Sequence, residues 1–170
     1  MMRDRSWVLS VALAVLVVDQ ITKLMVRTYI PQGANRPIID GLISLTHVRN
    51  TGAAFGLFAN APAGPVRALL VVVSVLAVVL IWAYARDGWH DRSVVLAFGL
   101  ILGGAIGNLL DRLYLHEVVD FIDVYWGAYH WPSFNVADMA ITTGALTLFI
   151  GMARQGHVDE APSAVADRAD

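Results

Sequence analysis

The sequence of 170 residues is long enough for one domain, and 57% of it is hydrophobic against only 15% charged, well below the roughly one-quarter charged content of a water-soluble domain. That balance belongs to a membrane protein. The absence of cysteine excludes disulfides, thiolate catalysis, Fe–S clusters and cysteine-built zinc sites, and a net charge of -2 without a Lys/Arg cluster argues against nucleic acid as a partner.

Four apolar stretches, 7–26, 66–84, 94–110 and 134–152, each approach the roughly 17–25 residues that a spanning helix needs. They predict four transmembrane helices in one membrane domain over residues 1–152. The opening "MMRDRSWVLSVALAVLVV" has the basic start and apolar run of a secretory signal. It continues through Asp19, Gln20 and Lys23 with no small-x-small cleavage site, so it reads as a retained first helix. Asp19 and Lys23 are four apart and share a helical face. They form either a self-compensating pair with Lys23 snorkelling outward, or a pair that faces the bundle interior and orients other polar groups.

Residues 28–65 contain a turn-prone Asp40-Gly41 pair, then "LISLTHV", whose β-branched content suits a strand or hairpin near the membrane surface, then "NTGAAFG", whose small residues allow close backbone approach. The second and third spans are joined by a short loop, "RDGWHDR", basic at both ends. In the third span Gly99, Gly103, Gly104 and Gly107 recur at spacings of three and four, a smooth face for tight helix contact. Close packing accounts for those glycines but not for Asn108, Asp111 and Arg112 just after them, although Arg112 alone is also suited to the phosphate layer. Residues 111–133 carry Tyr114, Tyr125, Trp126, Tyr129 and Trp131, the aromatics of a loop resting at headgroup level, and Asp120 sits in an otherwise apolar stretch of it. The fourth span opens on "FNVAD". Asn135 suits an N-cap, and a helix N-terminus stabilises the negative charge of Asp138. An N-cap by itself does not require a second acid three residues on. The tail from 153 is polar and predicted to have little fixed structure.

An even number of spans puts both termini on one side. The basic residues divide almost evenly, and Arg3 and Arg5 together with the compact basic-ended loop place that side in the cytoplasm. The end of helix three and the start of helix four then share the outer side, so Asp120 and Asp138 can meet. Two carboxylates in one partly dry site hold a single proton between them, leaving one as base toward water and the other as acid. Ser10 is too far along the helix from Lys23 for a Ser–Lys dyad, the five histidines show no metal-ligand spacing, and HExxH is absent, so no metal or cofactor is expected. These residues describe a polytopic membrane protein with an outward polar cavity. A peptidase, an ion or proton transporter and a structural assembly factor are its three readings; polar positions clustered near one side favour the enzyme.

Five pieces in order carry a more specific signal: "DQITK" at 19–23, "RNTGAAFG" at 49–56, "GNLLDR" at 107–112, "VVDF" at 118–121 and "FNVAD" at 134–138. With them the chain resembles the lipoprotein signal peptidase family, also called signal peptidase II, over essentially residues 5–152. The resemblance implies an all-α polytopic membrane protein with four transmembrane helices and a small extracytoplasmic β-cradle, about 28–62, inserted after helix one. It implies a monomeric aspartyl endopeptidase of the bacterial inner membrane that removes the signal peptide from diacylglyceryl-modified prolipoproteins at the lipid surface. Asp120 and Asp138 would be catalytic. Asp19, Lys23, Asn50, Gly52, Asn108, Asp111, Arg112 and Asn135 would be supporting or substrate-facing, and globomycin-like cyclic peptides would inhibit. The aromatic "YWGAYHWPS" before "FNVAD" and the polar tail lie outside the signature.

Overall fold

The computed structural model describes residues 2–52, 63–84 and 92–159. In chain order these form α1 (Met2–Tyr29), β1 (Asn35–Ile39), β2 (Ile43–Asn50), α2 (Ala63–Tyr84), α3 (Arg92–Tyr114), β3 (Val118–Trp126), β4 (Tyr129–His130) and α4 (Val136–Asp159). The connecting loop at 85–91, residues 53–56 of the small-residue stretch and the tail from 160 lie outside the described residues.

The helices are inside-out by the standards of a water-soluble bundle. On α1 the buried residues are Val8, Ala12, Asp19, Lys23 and Val26, a stripe at steps of three, four and seven residues that stays on one helical face, whereas Leu13, Val17, Ile21 and Leu24 are exposed. Apolar side chains facing outward and charges facing inward fit a lipid surround, where each backbone polar group is satisfied within its own helix. Among the described residues three helical segments, Arg5–Tyr29, Gly64–Ala83 and Arg92–Tyr114, are long and apolar enough to cross a membrane; the apolar part of α4, Val136–Gly151, is shorter. The helix itself does not stop there. It runs to Asp159, so the first residues of the expected unstructured tail are helical.

Helix α3 is the hub, with α1 and α4 packed on it and α2 against one side. The glycines permit this. A Cβ on Gly103 would stand 2.6 Å from the Ala12 carbonyl oxygen, and one on Gly104 would collide with that of Ala137. Val8, Ala12, Ile81, Val95 and Leu102 form an apolar cluster at one level of the bundle; Val26, Ile30, Val119 and Phe121 form another, which ties the end of α1 to the sheet.

The sheet is antiparallel in the order β1-β2-β3-β4 and sits where α1 and α3 end and α4 begins. The Asp40-Gly41 pair makes the expected turn, with Gly41 at φ 79° and the Leu42 N–H donating to the Ile39 carbonyl. The sequence reading of an all-α protein with a cradle confined to 28–62 needs correction here, because only β1 and β2 come from that segment. β3 and β4 come from the stretch taken as an aromatic loop. "VVDFIDVY" is rich in β-branched residues, but both of its faces are largely buried, so it lacks the apolar–polar alternation that marks a half-buried strand. β2 carries one extra residue against β3 between Leu45 and Val48, after which Val48 pairs with Asp120.

Candidate active site

Helix α4 begins at Val136, which makes Asn135 its N-cap. The Asn135 Oδ1 accepts the Asp138 N–H at 3.0 Å, and the Asp138 Oδ2 accepts the Asn135 N–H at 3.2 Å, a reciprocal capping box. The cap and the site are one object. The Asn135 Nδ2, wholly buried, donates at 2.7 Å to Oδ1 of Asp120 on β3 and lies 3.2 Å from the Asn108 Oδ1. A single asparagine therefore holds both acids, Asp120 through its amide and Asp138 through its backbone. The sequence treated N-capping and a site role as competing explanations for Asn135; the geometry contains both.

Beneath the two acids lies a buried charged cluster. The Lys23 Nζ is 2.9 Å from Asp19, 3.0 Å from Asp111 and 2.9 Å from the Asn108 Oδ1, and Lys23 is only 2% exposed, so it faces inward and does not snorkel. One ammonium does not neutralise two carboxylates. The remaining demand is met by hydrogen bonds: the Asp19 Oδ1 accepts the Ala137 N–H at 2.9 Å, at the positive end of α4, and the Asp111 Oδ2 accepts the Val119 N–H at 3.1 Å. The Gln20 amide, 3.2 Å from Asp19 and 3.1 Å from Asp111, joins them. With its Oδ1 occupied by Lys23 and Asn135, Asn108 turns its Nδ2 to the Asp138 Oδ1 at 2.8 Å.

Toward water, the Asn50 Nδ2 donates to the Asp120 Oδ2 at 3.0 Å while its Oδ1 accepts the Gly52 N–H at 2.9 Å. Arg112 reaches the Asn108 carbonyl at 3.2 Å and that of Gly52 at 3.4 Å, while the neighbouring Asp111 is occupied by Lys23. Burial, reinforced by the Asp138 charge and opposed by the hydrogen bonds from Asn50 and Asn135, pushes the Asp120 carboxyl up to about 7.

All ten residues singled out from the sequence fall in this one network. Asn50, Asn108, Arg112, Asp120 and Asp138 line a cavity of about 780 Å³, whereas Asp19, Lys23, Gly52, Asp111 and Asn135 do not. From the acids the cavity continues between α2 and α4 over apolar Leu70, Val73, Ala105 and Ile141. Among the described residues no group of three or more His, Asp and Glu is placed to hold a metal.

Sequence reasoning passed over two participants in the site, Gln20 and Gly107, and one buried acid beyond it, Asp123. Gln20 was visible as one more amide in an apolar helix. Gly107 was visible in the glycine face, but not its purpose: a Cβ there would stand 2.5 Å from the Asp19 Oδ2, so glycine admits that carboxylate to the end of α4. Asp123, three residues after Asp120 in the same apolar run, carried the same signal as its neighbour and was passed over.

The family model for signal peptidase (SPase) II matches residues 11–154. The lipoprotein signal peptidase of Nitratidesulfovibrio vulgaris (strain DP4) is 45% identical over 148 residues, 87% of this chain and 90% of that protein. That of Geobacter sulfurreducens is 44% identical, covering 86% of this chain and 91% of the relative. A solved structure described as a bacterial membrane enzyme superposes with a TM-score of 0.80 at 26% identity, covering 91% of this chain and 92% of that one.

Proposed function

The chain belongs to the signal peptidase II family, and on that premise we propose that it is an aspartic endopeptidase that cleaves diacylglyceryl-modified prolipoproteins before the lipid-bearing cysteine. Membership makes it a protease and, with its apolar helices, an integral membrane protein. The observation that carries the mechanism is the joint hold of Asn135 on Asp120 and Asp138 at the wall of a cavity that is polar at one end and apolar along its length.

Asp120, with its carboxyl at about 7, holds the proton of the pair, and Asp138, at the positive end of α4, supplies the carboxylate. Asp138 takes a proton from water as the water oxygen bonds to the scissile carbonyl carbon. Asp120 gives its proton to the carbonyl oxygen, and a gem-diol forms. The carbon–nitrogen bond then breaks as Asp138 returns a proton to the departing amine and Asp120 recovers one from the hydroxyl, which closes the cycle with one water consumed. No acyl-enzyme forms. Arg112, on the cavity wall, is placed to bind a substrate carbonyl, and Lys23 supports the acids through Asn108 without moving a proton.

The apolar reach between α2 and α4 suits the diacylglyceryl chains and the apolar signal segment, because burying each methylene is worth about 0.8 kcal/mol and fixes the scissile bond at the level of the acids. In this reading the protein sits in the bacterial inner membrane, with the sheet and the acids on the outer side and both termini in the cytoplasm. Single-turnover cleavage by purified protein in micelles, on matched precursors with and without the diacylglyceryl group, tests it. Cleavage of the modified precursor alone is expected; equal cleavage of both removes the lipid from recognition, and cleavage of neither removes the function.

A further inference from the structure

A second polar cluster lies in the sheet, and the proposed chemistry does not use it. Asp123 is buried on β3 and receives donors from each of the other three strands: the Ser44 Oγ of β2 at 3.0 Å, the Asn35 Nδ2 of β1 at 3.4 Å, and the His130 Nδ1 of β4 at 3.0 Å from both carboxylate oxygens. Ser44 is wholly buried and His130 is half exposed. The imidazole also stacks on Tyr125, with centroids 5.1 Å apart and planes 11° from parallel, and the Tyr125 hydroxyl accepts the Gly41 N–H. One carboxylate thus ties the sheet together across its full width.

The tie matters because β4 is only two residues long and leads directly into Trp131, Pro132 and Ser133, which wall the cavity. The first wall residue and the residues that follow the wall also have bonds of their own. The Trp131 N–H donates to the Val124 carbonyl at 2.8 Å, Phe134 exchanges backbone hydrogen bonds with Ile122, and Asn135 is fixed by its own amide contacts. A two-residue strand contributes little pairing of its own, and the link from His130 to Asp123 adds a side-chain anchor to those backbone bonds.

We infer that the Asp123–His130–Ser44 cluster is a positioning device: it holds residues 131–133 as one wall of the substrate cavity and so sets how tightly substrate binds, without taking part in proton transfer. This rests on the peptidase reading above. His130 is the residue to change, because it is half exposed and its loss leaves the buried Ser44–Asp123 bond in place.

In mixed micelles, His130→Ala should raise KM for the lipid-modified precursor by about fivefold or more with kcat within about twofold, since an effect on binding alone leaves turnover of bound substrate intact. Trp131→Ala should do the same, and the double variant should be scarcely worse than the stronger single one, because both act through one wall. A second readout needs no activity: in this cysteine-free chain, Ser133→Cys should react with a water-soluble maleimide several-fold faster when His130 is alanine. An unchanged KM in folded His130→Ala protein, a fall in kcat alone, or additive effects of the two substitutions would each overturn the inference. Failure of the unmodified protein to cleave would remove the functional reading instead, and the labelling rate would then decide alone whether the cluster holds the wall.

Discussion

Asp19 and Ala137 are 118 positions apart, and the Asp19 carboxylate accepts the Ala137 backbone N–H at 2.9 Å, so a side chain of the first helix caps the last. This is the fastening that fixes the start of α4, and with it Asn135 and Asp138, against the rest of the bundle. It exists because Gly107 leaves room for it.

Gly107→Ala should therefore act as a site mutation although it changes no polar group. The added methyl meets the Asp19 Oδ2 at 2.5 Å, the oxygen that faces Lys23 and Gln20, so the whole carboxylate has to shift; its Oδ1 then draws away from the buried Ala137 N–H, a loss of about 1–3 kcal/mol. Thermal unfolding in detergent and precursor cleavage should both register it. Unchanged values in both would mean that the carboxylate has room to move.

Lys23→Met should be among the most destabilising single changes, because it strands Asp19 and Asp111 as buried carboxylates without a cation, at a cost of about 3–5 kcal/mol. Adding Asp111→Asn removes one of the stranded charges and should recover part of the loss. A double variant less stable than Lys23→Met would contradict this account of the cluster.

Asp120→Asn and Asp138→Asn should each lower single-turnover cleavage by about 10²–10⁴-fold in folded, membrane-inserted protein, since the amide keeps the size but cannot exchange the proton. The double variant should be scarcely slower than either single one, because both residues serve one step. Near-normal cleavage by either variant would sink the paired mechanism.

The pH profile should have an alkaline limb near 7. The Asp120 carboxyl is raised from its ordinary 3.8 to about 7, so the proton that it donates is in place below that pH and lost above it. The sign for stability is the same: the folded state holds this proton more tightly than the unfolded one, so the contribution is full below about pH 4 and is lost as pH rises toward 7. Asn50→Ala removes a hydrogen bond that lowers the Asp120 value and should move the limb to higher pH. A limb that does not move would place the titration on another group.

The sidedness proposed for the sheet can be read with one cysteine. Ala128 lies exposed in the turn between β3 and β4, so Ala128→Cys should react with a membrane-impermeant maleimide added outside intact inner-membrane spheroplasts. Labelling only after the membrane is opened would invert the topology.

Residue order alone determined the membrane class, because apolar runs of spanning length and a low charge content are local properties that need no coordinates. It also drew attention to eight of the ten site positions, since a charge or amide in such a run is costly unless it is partnered, whereas Asn50 and Gly52 came only from the family resemblance. The sheet was only half legible: Asp40-Gly41 announces its turn by composition, whereas a strand buried on both faces shows no alternation, and so β3 passed for a loop. The partners themselves were decided in three dimensions. Lys23 turns inward because Asp111, 88 positions away, is brought within 3.0 Å by the glycine contacts of α3, and Arg112 reaches Gly52 while Lys23 occupies its neighbour. Sequence spacing reports which residues share a helix face; which face meets which depends on packing between elements distant in the chain, and that packing made one site of ten scattered residues.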